Sequence, residues 1–114
     1  FCPGGALAVS GGDEIVAAIN RIIGAFDLVV ASRDMHPPGS RHFKTWPIHC
    51  VQGTSGAEFH PGLDTERIDC FLEKGTTCAD DGYSDFESTN IDFAAWLHER
   101  SVTELYVCGL ATDY

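Results

Sequence analysis

An α/β architecture built on a parallel sheet is what this sequence predicts, and three observations carry that expectation. Helical and strand-like segments alternate along the chain, the strand-like segments have continuous apolar centres, and residues able to do chemistry fall just past their carboxyl ends. Alternation implies parallel strands joined by helical crossovers. Continuous apolar centres fit strands buried on both faces. In such sheets ligand sites gather beyond the carboxyl ends of strands, which is where Asp34, Lys74 and Ala111 stand.

Each element follows from its own pattern. Ile15, Ile19, Ile22, Ile23 and Phe26 keep a 3.6-residue spacing, and Asp13 and Glu14 suit a helix start, so residues 13–25 predict a helix. Residues 27–33, Asp-Leu-Val-Val-Ala-Ser-Arg, predict a strand. The stretch 34–67 is rich in Pro, Gly, His and Asp and lacks periodicity, which predicts a long loop region of the kind that usually carries function. A second strand is expected at about 68–73, then a loop over 74–89. Asn90 is the expected N-cap of a helix over about 90–100 that turns Phe93, Trp96 and Leu97 to one face. The run Glu-Leu-Tyr-Val-Cys-Gly predicts a last strand at about 104–109.

Composition narrows the function classes. A chain of 114 residues, 44% hydrophobic and 21% charged, is neither disordered nor membrane-spanning, and it makes one domain. No apolar run approaches the ~18 residues of a transmembrane helix. Seven Lys+Arg against 17 Asp+Glu give a net charge of −10, a field that repels phosphate backbones and anionic lipid, so nucleic acid and membrane are set aside as partners. Five cysteines is an odd number and none forms a C-x-x-C pair, so a cytoplasmic setting is expected. The chain opens on the turn-like Phe1-Cys2-Pro3-Gly4-Gly5 and stops just past an apolar run. Those ends read as an internal piece of a longer chain.

Chemistry concentrates between residues 34 and 49. Asp34, His36, His42 and His49 put one carboxylate and three of the five histidines into sixteen positions, a plausible set of ligands for a divalent metal. Asp34 and His36 are two apart and project to one side of an extended backbone, which Pro37 favours. Lys74 at a strand end gains a role only beside a partner such as a thiol whose anion it stabilises. Neither Cys50, next to a ligand histidine, nor the loop-borne Cys78 has a nucleophile's setting. Phe1, Trp46 and Tyr83 are loop aromatics that could wall a flat aromatic ligand by stacking or pack on the rim of the core. His60 is expected to be structural and His98 to face solvent.

The segments Phe1-Cys2-Pro3-Gly4-Gly5-Ala6-Leu7-Ala8-Val9, Arg33-Asp34-Met35-His36, Trp46-Pro47-Ile48-His49-Cys50-Val51, Gly56-Ala57-Glu58-Phe59-His60-Pro61, Lys74-Gly75 and Gly109-Leu110-Ala111-Thr112-Asp113-Tyr114 together resemble the nicotinamidases, also called pyrazinamidases. These are isochorismatase-like cysteine hydrolases, and the resemblance spans the chain in order. It implies a three-layer α-β-α fold on a parallel sheet, present here as a single partial domain over 1–114 without its first strand and C-terminal part. It implies hydrolysis of nicotinamide to nicotinate and ammonia, with pyrazinamide as an analogue. Asp34, His36, His42 and His49 would hold one divalent metal (Zn, Fe or Mn) that orients the ring. Lys74 would be the triad lysine, the Ala111 N–H half of the oxyanion hole, and Phe1, Leu7, Val9, Trp46 and Tyr83 the ring pocket. The bond Leu110–Ala111 would be cis.

The resemblance also implies what is missing. The family's aspartate would precede Phe1 and its nucleophilic cysteine would follow Tyr114, so these 114 residues alone are expected to be inactive. From Lys74 to Tyr83, where Cys78, Asp80 and Asp81 lie, the match is looser. Two alternatives stand beside this reading: hydrolysis of another small amide, and a metal-binding module without turnover. The partner expected is a small molecule, and a homo-oligomer is left open.

Overall fold

The computed structural model describes residues 1–114. Its elements, in order, are helix α1 (Glu14–Ile22), a 3-10 turn (Ile23–Ala25), strand β1 (Val30–Asp34), three 3-10 turns (Arg41–Lys44, Ser55–Ala57, Thr65–Arg67), strand β2 (Cys70–Lys74), a further 3-10 turn (Asp85–Glu87) and helix α2 (Phe93–Glu99). β1 and β2 pair in parallel with Val30 opposite Cys70 and Asp34 opposite Lys74. This is the parallel α/β arrangement the sequence predicts. None of its helices is long and apolar enough to cross a membrane.

Packing follows the apolar pattern. Cys70, Leu72 and Phe93 form the buried core, with Val30, Ile91, Trp96 and Leu97 packed around it. α2 thus closes one face of the sheet through the side chains its 3.6-residue spacing aligns. Asp69 accepts from the Val29 N–H at 2.8 Å and fixes where the two strands begin to run together. Asn20, on α1, donates to the Gly62 carbonyl (2.7 Å) and accepts from the Asp64 N–H (2.9 Å), tying that helix to the loop before β2.

The structure corrects three expectations. Asp92, not Asn90, caps α2, accepting from the Ala95 N–H at 3.0 Å. Asn90 instead bonds the outer edge of β2, accepting from the Glu73 N–H and donating to the Phe71 carbonyl, both at 2.9 Å. Residues 104–109 are not a strand, and the sheet has two strands only. Apolar content favours a strand only where a partner edge is met, and residues 104–109 pair with neither edge of the two-stranded sheet. Tyr106 packs against Phe26 at 5.6 Å instead. Finally, every peptide bond is trans, including Leu110–Ala111, as the intrinsic preference of about 3 kcal/mol for a non-proline bond dictates. Ala111 takes a left-handed φ of 55°.

Candidate metal centre and its cavity

The strand ends set the first contacts. Asp34 and Lys74 are the last paired residues of β1 and β2, and they form an ion pair across the ladder. The Lys74 ammonium also donates to the Gly82 carbonyl at 2.8 Å, so it is held on two sides. One residue earlier, on the opposite face of the sheet, Arg33 lies between Glu73 (2.8 Å) and Glu58 (3.0 Å).

Past Asp34 the chain changes partner. The Met35 N–H still bonds the Lys74 carbonyl, but His36 pairs with Val51 in a parallel bridge through the Cys50 carbonyl and the Gln52 N–H, both at 2.9 Å. Cys50 adopts a left-handed φ of 45° as the loop turns there. Gln52 staples the junction, donating to the carbonyls of Met35 (2.7 Å) and Thr76 (3.1 Å). His42 sits on the 3-10 turn Arg41–Lys44, whose start Ser40 caps by accepting from the His42 N–H. The long loop is therefore folded back by short, locally bonded turns.

Three imidazoles are brought together by this path. His36, His42 and His49 are all buried, and a ring nitrogen from each lies within 4.8 Å of the others. His36 stacks on His42 at 4.4 Å and meets His49 edge-on at 5.0 Å. Each Nδ1 has an acceptor: the Gly75 carbonyl for His36 (3.1 Å), an Asp81 carboxylate oxygen for His42 (3.1 Å) and the Pro47 carbonyl for His49 (2.7 Å). A carbonyl oxygen can only accept, so Nδ1 carries the proton and the Nε2 lone pair is left for a ligand. The Nε2 of His36 is buried without any hydrogen-bond partner. Burial holds the pKa of His36 below its ordinary value, against the pull of Asp34, which keeps the ring in the neutral form that binds metal. An orphaned buried nitrogen among three converging imidazoles fits a divalent cation.

Asp34 belongs to a second group of potential ligands with His49 and Cys50, again within 4.8 Å, so His49 is common to both. Its Oδ1 accepts from Lys74, which leaves the other oxygen free of the ammonium. Burial pushes the Cys50 thiol up to about 11. That keeps it a neutral neighbour rather than a thiolate.

The remaining predicted site residues share one cavity of about 660 Å³. Phe1, Leu7, Val9, Trp46, Tyr83 and Ala111 line it, together with Asp34, His42, His49 and Lys74, while His36 lies buried behind the wall. Phe1 meets His49 edge-on at 5.9 Å, Trp46 lies nearly parallel to His42 at 6.3 Å, and the Trp46 indole N–H donates to the Tyr83 hydroxyl at 2.9 Å. His60 borders the same cavity outside the imidazole cluster, its Nδ1 accepting from the Gly62 N–H. Sequence reasoning missed Phe43, whose ring packs against all three clustered imidazoles at 5.7–6.3 Å, although its place beside His42 was a usable signal. It also gave no role to Asp81, which no local pattern distinguishes from other loop acids.

Parallel strands ending in an acid–lysine pair beside clustered imidazoles make an α/β crevice with a candidate metal centre, and the comparisons with known proteins say to which family it belongs. The chain belongs to the isochorismatase domain family, which it matches over residues 1–114. Within that family its relatives carry a narrower name. It is 39% identical to the nicotinamidase/pyrazinamidase of Mycobacterium tuberculosis, over all of this chain and 67% of that protein. It is 37% identical to the nicotinamidase of Acinetobacter baylyi, over all of this chain and 64% of that one. Among solved structures, PnC1 of L. infantum in complex with nicotinate superposes with a TM-score of 0.91 at 38% identity, covering 99% of this chain and 62% of that one. The pyrazinamidase of Pyrococcus horikoshii in complex with zinc gives 0.86 at 40%, covering 100% and 66%. The chain thus spans about two thirds of the length of the relatives it matches.

Proposed function

We propose that this chain forms the metal-holding and ring-binding part of an amidohydrolase that converts nicotinamide to nicotinate and ammonia, and accepts pyrazinamide as an analogue. The single observation that carries the reading is the convergence of three Nδ1-tethered, buried imidazoles on the cavity that also holds the Asp34–Lys74 pair. Relatives named nicotinamidase, a neighbour in complex with nicotinate and another in complex with zinc support it. In this reading Asp34, His36, His42 and His49 hold one divalent ion, zinc, iron or manganese. When bound, that ion supplies a Lewis-acidic contact for the ring nitrogen of the substrate.

The chain's own groups do the rest of the positioning. Phe1, Leu7, Val9, Trp46 and Tyr83 present apolar and aromatic surface to a flat ring, and the Trp46–Tyr83 hydrogen bond keeps two of those walls in register. The Lys74 ammonium, held by Asp34 and the Gly82 carbonyl, favours the anion of a nucleophilic thiol brought beside it. The Ala111 N–H stabilises the oxyanion that forms when that thiolate attacks the amide carbon. Loss of ammonia leaves a thioester, which water hydrolyses to the acid and the free thiol. The thiol and the aspartate that takes its proton are assigned to residues outside these 114. A cytoplasmic setting fits five free cysteines.

The test is made on the intact protein. Nicotinamide should release ammonia, a strong chelator should abolish that release, and His49→Ala should carry much less metal by elemental analysis. Unchanged metal content in His49→Ala would remove that residue, and with it the proposed centre.

A further inference from the structure

Of the three acceptors that orient the clustered imidazoles, two are main-chain carbonyls, those of Pro47 and Gly75. The third is a side chain. Asp81 Oδ1 lies 3.1 Å from the Nδ1 of His42, across 39 residues of sequence. The other oxygen of Asp81 faces Arg41 at 3.5 Å, and the Arg41 N–H bonds the Cys78 carbonyl at 3.0 Å. Asp80 accepts from the Gly82 N–H at 2.9 Å and shapes the turn that presents Asp81. The loop from Lys74 to Tyr83 is therefore clamped onto the turn bearing His42, with the Asp81 carboxylate at the join.

We propose that Asp81 is a positioning residue for the metal centre: its carboxylate accepts the Nδ1–H hydrogen bond of His42 and so fixes the ring with Nε2 facing His36 and His49. The proposal rests on the metal-centre reading above. An acceptor on the far nitrogen of a ligand imidazole sets both tautomer and ring rotation. His42 rides on a four-residue 3-10 turn rather than on a strand or bridge, so the backbone alone holds it less firmly than it holds His36.

The experiment uses the intact protein stripped of metal, with Zn²⁺ affinity read by chelator competition and the ligand field read from the visible spectrum of the Co²⁺ form. Asp81→Ala should weaken Zn²⁺ binding about 10–100-fold and alter the Co²⁺ spectrum. Asp81→Asn, which keeps an oxygen acceptor for Nδ1–H, should restore most of the affinity and the parental spectrum. The metal-free melting temperature of Asp81→Asn should match that of the parent, so the comparison stands even if Asp81→Ala folds poorly. His42→Ala separates the two ideas. Parental affinity in His42→Ala removes the metal-centre reading altogether. Loss in His42→Ala with parental affinity and spectrum in Asp81→Ala overturns the role of Asp81 alone. Asp81→Asn as weak as Asp81→Ala likewise overturns the tether, because the accepted hydrogen bond would then not be what matters.

Discussion

Gly75 offers a sharp test of how tightly the centre is built. It sits at φ +65° directly after Lys74, and its carbonyl receives the His36 ring. A Cβ placed there would stand 2.5 Å from His36 Cε1 and 2.6 Å from Nδ1. Restoring an ordinary carbon–carbon contact of ~3.5 Å requires the ring or the loop to retreat by roughly 1 Å. The backbone cannot relieve this by rotating, because a left-handed conformation already costs a residue with Cβ about 1–2 kcal/mol. Gly75→Ala should therefore lower the melting temperature of the intact protein by about 2–4 °C per kcal/mol of that strain. It should also weaken Zn²⁺ binding about 10–100-fold, as displacing the support of one ligand generally does. Gly53 separates the two effects, since it shares the left-handed backbone (φ +75°) but has open space where its Cβ would go. Gly53→Ala should pay the strain and keep the metal. Calorimetry and chelator competition on both variants decide the matter. Equal Zn²⁺ affinity in Gly75→Ala and Gly53→Ala would refute the claim that the close approach to His36 holds the site.

Two other outcomes are expected. Leu72 is fully buried between Cys70 and Phe93, so Leu72→Ala should cost about 2–5 kcal/mol in urea unfolding, and a loss under 1 kcal/mol would mean the core lies elsewhere. Cys50 is raised by burial from an ordinary 9.0 to about 11, so between those pH values the unfolded chain ionises first and stability falls as pH rises, with no such dependence below 9.0. The slope, up to about 1.4 kcal/mol per pH unit for one group, should shrink in Cys50→Ala, measured on metal-free protein; an identical slope would place the ionisation on other groups.

What the sequence made readable was what local pattern carries. The apolar centres announced β1 and β2, and the concentration of His36, His42 and His49 announced the imidazoles that the fold brings together. Less could be read where the decisive partner is remote. The residues 104–109 look like a strand by content, yet a strand needs a partner, and they pair with neither β1 nor β2. Asn90 looked like a cap because caps and edge-binding residues are the same residue types. The Asp34–Lys74 pair spans 40 residues and Asp81 reaches His42 across 39, so only the parallel register and the clamped loop reveal them.

That register carries a consequence for folding itself. In the native ladder Arg33 stands opposite Glu73 and Asp34 opposite Lys74. Slipping the strands by one residue in one direction sets Asp34 against Glu73; slipping the other way sets Arg33 against Lys74. Both errors bring like charges together and turn the buried Cys70 and Leu72 of β2 to the wrong face relative to β1. A chain searching for its pairing thus meets attraction in one alignment and repulsion in its nearest two rivals. The four charges at the strand ends proofread the assembly before any ligand arrives.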